Sequence, residues 1–147
     1  MEVTLALLAD YANITREGKL NVMGLFTIIN APVLPWIHPQ MQLVLDLEAD
    51  PAEWDTQKNI EIKLMDADAN QLLSIQGGVK VPRGQSGQRL HINSIMTFGN
   101  IKLNSAGDYA FVILIGGETK KRVPLRVNYV PLPSPPNIPP PPPPSQS

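Results

Sequence analysis

The stretch Asp66-Ala67-Asp68-Ala69-Asn70 sets oxygen-bearing side chains at alternate positions. Asp, Asp and Asn at that spacing open a calcium loop, in which carboxylate and amide oxygens converge on a hard cation. Such a loop next needs Gly, where Gln71 stands, and a bidentate Glu at its twelfth position, where Gly77 stands. Asp66, Asp68 and Asn70 are the metal candidates of the chain, set against an ordinary turn. The same residue types favour turns because their short side chains hydrogen-bond the nearby backbone.

Other chemistry-bearing residues are sparse. There are two histidines, His38 and His91, and no cysteine. A disulfide framework, a thiolate zinc site and a Cys nucleophile are thereby excluded. No G-x-S-x-G motif supports a Ser-His-Asp triad, and no carboxylate cluster flanks either histidine. Gly18-Lys19 lacks the further glycines and the following helix of a phosphate loop. Asn13-Ile14-Thr15 is a glycosylation sequon, but the apolar run Leu5–Ala9 follows Glu2 and is too short for a signal peptide. No apolar run approaches the ~20 residues of a membrane span. These features predict a cytoplasmic protein that is not an enzyme and needs no cofactor. Twelve basic against thirteen acidic residues give a net charge of -1, which leaves no footprint for nucleic acid.

The elements that position these residues follow from a period of two. In "MQLVLDLEAD", Leu43, Leu45 and Leu47 share one face and Gln42, Asp46 and Glu48 the other. "NIEIKLMD" and "RVPLRV" alternate in the same way, which marks strands with one face on a core. The pattern predicts eight strands, at 2–13, 19–30, 41–49, 58–66, 71–81, 88–98, 108–116 and 119–129, with one short helical turn within Asp50–Gln57. Gly116-Gly117 suits a tight hairpin with positive φ. "YAFVILI" is apolar on both parities, as a central strand would be. Tyr109 enters that strand as the corner tyrosine of immunoglobulin-like folds does. Pro124 places the last strand at a sheet edge, and Lys120, Arg122 and Arg126 on its polar parity suit an edge guarded against unwanted pairing. Regular short strands with turns between them predict an antiparallel, immunoglobulin-like β-sandwich.

Ten of the sixteen prolines fall between Pro131 and Pro144. Proline fixes φ and donates no backbone hydrogen bond, so residues 131–147 are expected to form a disordered polyproline II tail beyond a folded unit of residues 1–130. The tail offers a PxxP arrangement through Pro133, Pro135 and Pro136. A second contact candidate is the loop Pro32–Pro39, whose three prolines would present Leu34, Trp36, Ile37 and His38.

The segments "LLADYANITREGKLNVMGLF", "LVLDLEADPAE" and "AGDYAFVILIGGETKKRVPLRV" together resemble a family of small, single-domain bacterial proteins known only as a domain of unknown function. The resemblance spans about Glu2 to Val127 and implies a soluble β-sandwich. It carries no catalytic or ligand residue onto this chain. The expectation is a non-catalytic interaction module that contacts an unidentified protein by a sheet edge, by the Pro32–Pro39 loop or by the tail. The alternatives are a binder of carbohydrate or a metal ion, and an enzyme of unknown class. Homo-oligomerisation stays open.

Overall fold

A computed structural model describes residues 1–145. Among the described residues, nine strands form two sheets: β1 (Glu2–Ile14), β2 (Leu20–Phe26), β3 (Ile28–Ala31), β4 (Trp36–Ala49), β5 (Thr56–Asp66), β6 (Gln71–Val81), β7 (Leu90–Leu103), β8 (Gly107–Ile115) and β9 (Glu118–Tyr129). The first sheet has the order β2-β1-β4-β7 and the second β3-β9-β8-β5-β6. One 3-10 turn, Pro51–Glu53, lies within the stretch expected to make a helical turn. Among the described residues, no helix is long and apolar enough to cross a membrane.

The core is the meeting of the two apolar parities. Met41, Leu43, Leu45 and Leu47 of β4 and Ile60, Ile62, Leu64, Phe111, Ile113 and Leu125 of the second sheet form one buried cluster. Each such side chain contributes roughly 1.5–3 kcal/mol by leaving water. Phe98 of β7 and Phe111 of β8 tie the sheets together, with ring centroids 5.2 Å apart and planes tilted by 45°. β8 is central, between β5 and β9, as its two apolar parities required. The Tyr109 hydroxyl donates to the Ser105 carbonyl at 2.7 Å, closing the corner that leads into β8. Gly116 and Gly117 take φ of 61° and 81° in the hairpin to β9.

Three sequence expectations are corrected. The single strand expected at 19–30 breaks at Thr27, so β2 joins the first sheet and β3 the second. β3 runs parallel to β9, pairing Ile28 with Arg126 through Ala31 with Tyr129, so the second sheet is mixed. As a result β9 is not an edge along its whole length. Only its first part, which contains Pro124, lacks a second neighbour. The third correction is that β4 begins at Trp36 and β7 runs on to Leu103, beyond the alternation that ended at 41 and 98. In β4 the core-facing parity changes between Trp36 and Met41, and in β7 between Phe98 and Ile101. Both changes fall at one level, between the rungs His38↔Ile101 and Gln40↔Gly99, so the register holds from Trp36↔Leu103 to Ala49↔Leu90. Asn100 takes φ 51° there.

The β1–β2 hairpin does not stay in the plane of its sheet. β1 pairs with β4 only from Glu2 to Ala9, whereas it pairs with β2 as far as Ile14. Beyond Ala9 the hairpin bends over the outward face of β4 and reaches β7. Its turn carbonyl at Gly18 accepts a hydrogen bond from Asn93 Nδ2 at 3.1 Å. The Ala12 N–H donates to Gln42 Oε1, and Gln42 Nε2 donates to Thr97 Oγ1 at 3.1 Å. This fold-over explains why Val44, on the outward parity of β4, is 0% exposed. Gln42 is itself buried. Replacing it with Leu strands the Ala12 N–H, at an expected cost of about 1–3 kcal/mol. Urea unfolding of Gln42→Leu should show that loss, with a smaller one for Thr97→Val.

Candidate functional site

The turn from β3 to β4 is Pro32–Pro35, not Pro32–Pro39. Trp36, Ile37 and His38 are strand residues, because the sheet pairing of β4 with β7 begins at Trp36. Strand geometry then separates them by face. Leu34 and Trp36 pack against the core, while Ile37 turns away and is 56% exposed. Trp36 and His38, two residues apart, lie side by side, and Trp36 Nε1 donates to His38 Nδ1 at 3.3 Å. Phe26, at the end of β2, completes an aromatic group, its ring centroid 6.0 Å from that of His38.

These rings line an open recess of about 300 Å³ together with Asp10, Ile28, Ile29 and Asn30. Asp10 is brought there by the bend in the hairpin. Opposite it, Gly24 has φ 68°, and a Cβ at Gly24 would collide with the Asp10 carboxylate. A glycine is thus required on both counts. Burial lowers the pKa of His38, opposed by the negative charge of Asp10 and a backbone hydrogen bond at Gln40. The Trp36 bond also needs a lone pair at Nδ1, which the neutral ring has and the imidazolium lacks. Chemically the recess offers ring faces, one carboxylate and one amide. It suits the capture of a side chain or small polar group.

Beside the recess runs the outer edge of β2, which no other strand among the described residues pairs. Within β1–β2, Thr15 N–H donates to the Lys19 carbonyl at 2.8 Å, whereas the Ala12 N–H points out of the hairpin to Gln42. Antiparallel rungs alternate between bonded and non-bonded pairs. By that alternation Leu20 and Val22 direct their backbone N–H and C=O groups to the open side, as far as Gly24, whose φ of 68° bends the strand. Met23 and Leu25, on the other parity, are 64% and 63% exposed, and Tyr11 lies opposite Met23. No other strand residue among those described exposes a large apolar side chain to that extent.

The remaining sequence candidates lie elsewhere. Asp66 Oδ1 accepts the backbone N–H groups of Asp68 and Asn70, and Oδ2 accepts Asn70 Nδ2. The backbone N–H of Asn70, above all, holds the Asp66 carboxyl below its ordinary pKa. Both oxygens therefore serve their own turn, between β5 and β6. Among the described residues, no group of three or more His, Asp or Glu is arranged to hold a metal. His91 lies on β7, remote in sequence from His38, and meets Asp46 at 2.9 Å. Lys120 pairs with Glu2 at 3.1 Å and Arg126 with Asp108 at 3.1 Å, so the basic parity of β9 is partly neutralised. Pro133, Pro135 and Pro136 are exposed and belong to no strand or helix, and Gln146 and Ser147 of the expected tail lie outside the described residues.

Asp10, Phe26, Ile28, Asn30, Met23 and Leu25 were not singled out by residue type. A run of seven strand residues without charge or proline, "LNVMGLF", was the available signal.

The recess makes a pH prediction. The folded pKa of His38 is depressed, so its contribution to stability is present above the ordinary value of 6.5 and is lost as pH falls through the folded value. NMR titration should give His38 a midpoint below 6.5, and Asp10→Asn should move it lower still.

Among curated proteins, none matches the chain. Among solved structures, it is similar to Pseudomonas fluorescens alkylpurine DNA glycosylase AlkC bound to DNA containing an abasic site analog, at 11% identity and a TM-score of 0.40. That match covers 84% of this chain and 30% of the glycosylase, so this chain spans less than a third of that protein's length. The model of a family of unknown function, DUF6941, matches residues 4–128, and the chain with its two all-β sheets belongs to that family.

Proposed function

We propose that this chain is a non-catalytic binding module: an immunoglobulin-like β-sandwich that takes a protein partner at the corner of β2, β3 and the start of β4. The observation that carries the reading is the pair Met23 and Leu25, 64% and 63% exposed on a strand whose outer edge is unpaired. An exposed edge with apolar side chains is a template for an added strand, in which main-chain hydrogen bonds give affinity and pockets give selectivity. Here the recess of Phe26, Trp36 and His38 supplies the pocket. The tyrosine corner at Tyr109 supports the immunoglobulin-like type. The tail from Pro131 onward, which carries no charge, acts as an extended spacer with Pro133, Pro135 and Pro136 available to a groove. A second reading, a small carbohydrate in the recess, is favoured by the ring faces beside Asp10 and Asn30.

Lysine at both exposed positions tests the protein-binding reading. Met23→Lys/Leu25→Lys should leave stability within about 0.5 kcal/mol, because both side chains are already in water. Proteins retained from a native lysate by the full chain should be lost with this variant and kept with Ile75→Lys on the β6 edge. Equal retention by all three chains would reject the β2 corner as the contact surface.

A further inference from the structure

We propose that the recess takes a guanidinium group: an arginine side chain of the protein partner, stacked on the ring of Phe26 or Trp36 and paired with the Asp10 carboxylate. The proposal rests on the reading of this corner as a protein contact and goes further by naming the side chain that enters its pocket.

Charge gives the first reason. Asp10 is the one carboxylate of the recess, and it takes part in no ion pair among the described residues. Arg126 lies across from Ile28 of the recess, but its guanidinium is held on Asp108 at 3.1 Å and on Asn128 at 3.2 Å. The recess's own candidate cation is His38. Burial disfavours its charged form, and its Nδ1 accepts from Trp36 Nε1. The carboxylate is thus left for a cation brought from outside.

The rings give the second. A cation over an aromatic ring is drawn to the negative face, most strongly for Trp. Phe26 and Trp36 line the same recess as Asp10. A guanidinium is planar, so it stacks on a ring while its fork of N–H donors meets a carboxylate, and it sheds water more readily than an ammonium. The volume of about 300 Å³ suits one such side chain.

The third reason is that ring and unpaired carboxylate do not coincide in two larger recesses. The one of about 370 Å³ over β5 and β6 has no aromatic ring, and its Glu61 meets Ser74 at 3.0 Å and Lys63 at 3.7 Å. The one of about 380 Å³ at the start of β5 also lacks an aromatic ring, and its Asp55 pairs with Arg83.

The two tryptophans make a direct test available. Trp36 lines the recess, whereas Trp54 lies against Gly84, so their indole N–H signals give a reporter and an internal control in one NMR spectrum. N-acetylarginine methylamide should shift the Trp36 and His38 signals and leave Trp54 unmoved, with half-saturation at roughly 1–10 mM. N-acetylcitrulline methylamide has the same shape without the charge and should need at least about threefold more. The arginine probe should lose a similar factor with Asp10→Asn, which removes the charge, and with Phe26→Leu, which removes a ring. Asp10 is exposed, so Asp10→Asn keeps the fold and decides alone if Phe26→Leu does not. An unmoved Trp36 signal overturns the proposal. So does an equal response to the citrulline probe or to N-acetyllysine methylamide, or an arginine response that Asp10→Asn leaves unchanged. A Trp36 shift with methyl glucoside and none with the arginine probe gives the recess to a carbohydrate instead. Lysate partners that vanish with Met23→Lys/Leu25→Lys while Trp36 ignores the arginine probe retain the β2 corner as the contact surface and reject only the arginine.

Discussion

Gln42 is the one buried polar side chain among the described residues, and it joins three strands. Its amide accepts from Ala12 of β1 and donates to Thr97 of β7. A buried amide left unpaired is costly, so the site has two well-separated states, fully bonded or disrupted. The geometry of the β1–β2 hairpin follows from that choice. Beyond Ala9, β1 has no sheet neighbour on the β4 side, and Gln42 satisfies the Ala12 N–H that such an exit leaves over. Asn93 fastens the far end at Gly18. Between these two anchors the hairpin covers Val44, which would otherwise be an exposed valine on an outward face.

This constraint bears on the candidate site because the same hairpin carries it. Asp10, Met23, Leu25 and Phe26 all lie on β1 or β2, and the bend at Gly24 delivers Asp10 to the recess. A free hairpin would order itself again at each encounter, whereas a fastened one presents its edge already in strand conformation. Pre-ordering reduces the entropy lost on binding. The contact edge is thus set by residues that no partner touches, among them Gln42 and Thr97.

Much of the framework was legible in the sequence, because period-two alternation reports strands directly. β5 and β6 begin and end within two residues of expectation, and the Tyr109 corner and the Gly116-Gly117 hairpin stand where residue chemistry put them. What escaped has physical causes. Alternation marks β4 and β7 too short because both change core parity at Pro39–Gln40 and Gly99–Asn100, where the pattern breaks although pairing continues. The three prolines of Pro32–Pro39 mark Trp36, Ile37 and His38 as loop residues, whereas β4 tolerates Pro39 and pairs from Trp36 onward. The split of 19–30 into two strands on different sheets is a tertiary event, with only Thr27 between them. Leu20, Val22 and Phe26 share one face by their spacing. They gave no sign that Gly24 bends the hairpin and leaves Met23 and Leu25 in water.

Hydrogen exchange of the Ala12 amide measures the fastening directly. Its N–H points away from β2, so the hairpin ladder cannot protect it and only the Gln42 side chain does. Protection comparable with amides of the central strand β8, lost in Gln42→Leu while β8 stays protected, is the expected result. Exchange of the wild-type Ala12 amide at the rate of exposed loop amides would contradict it.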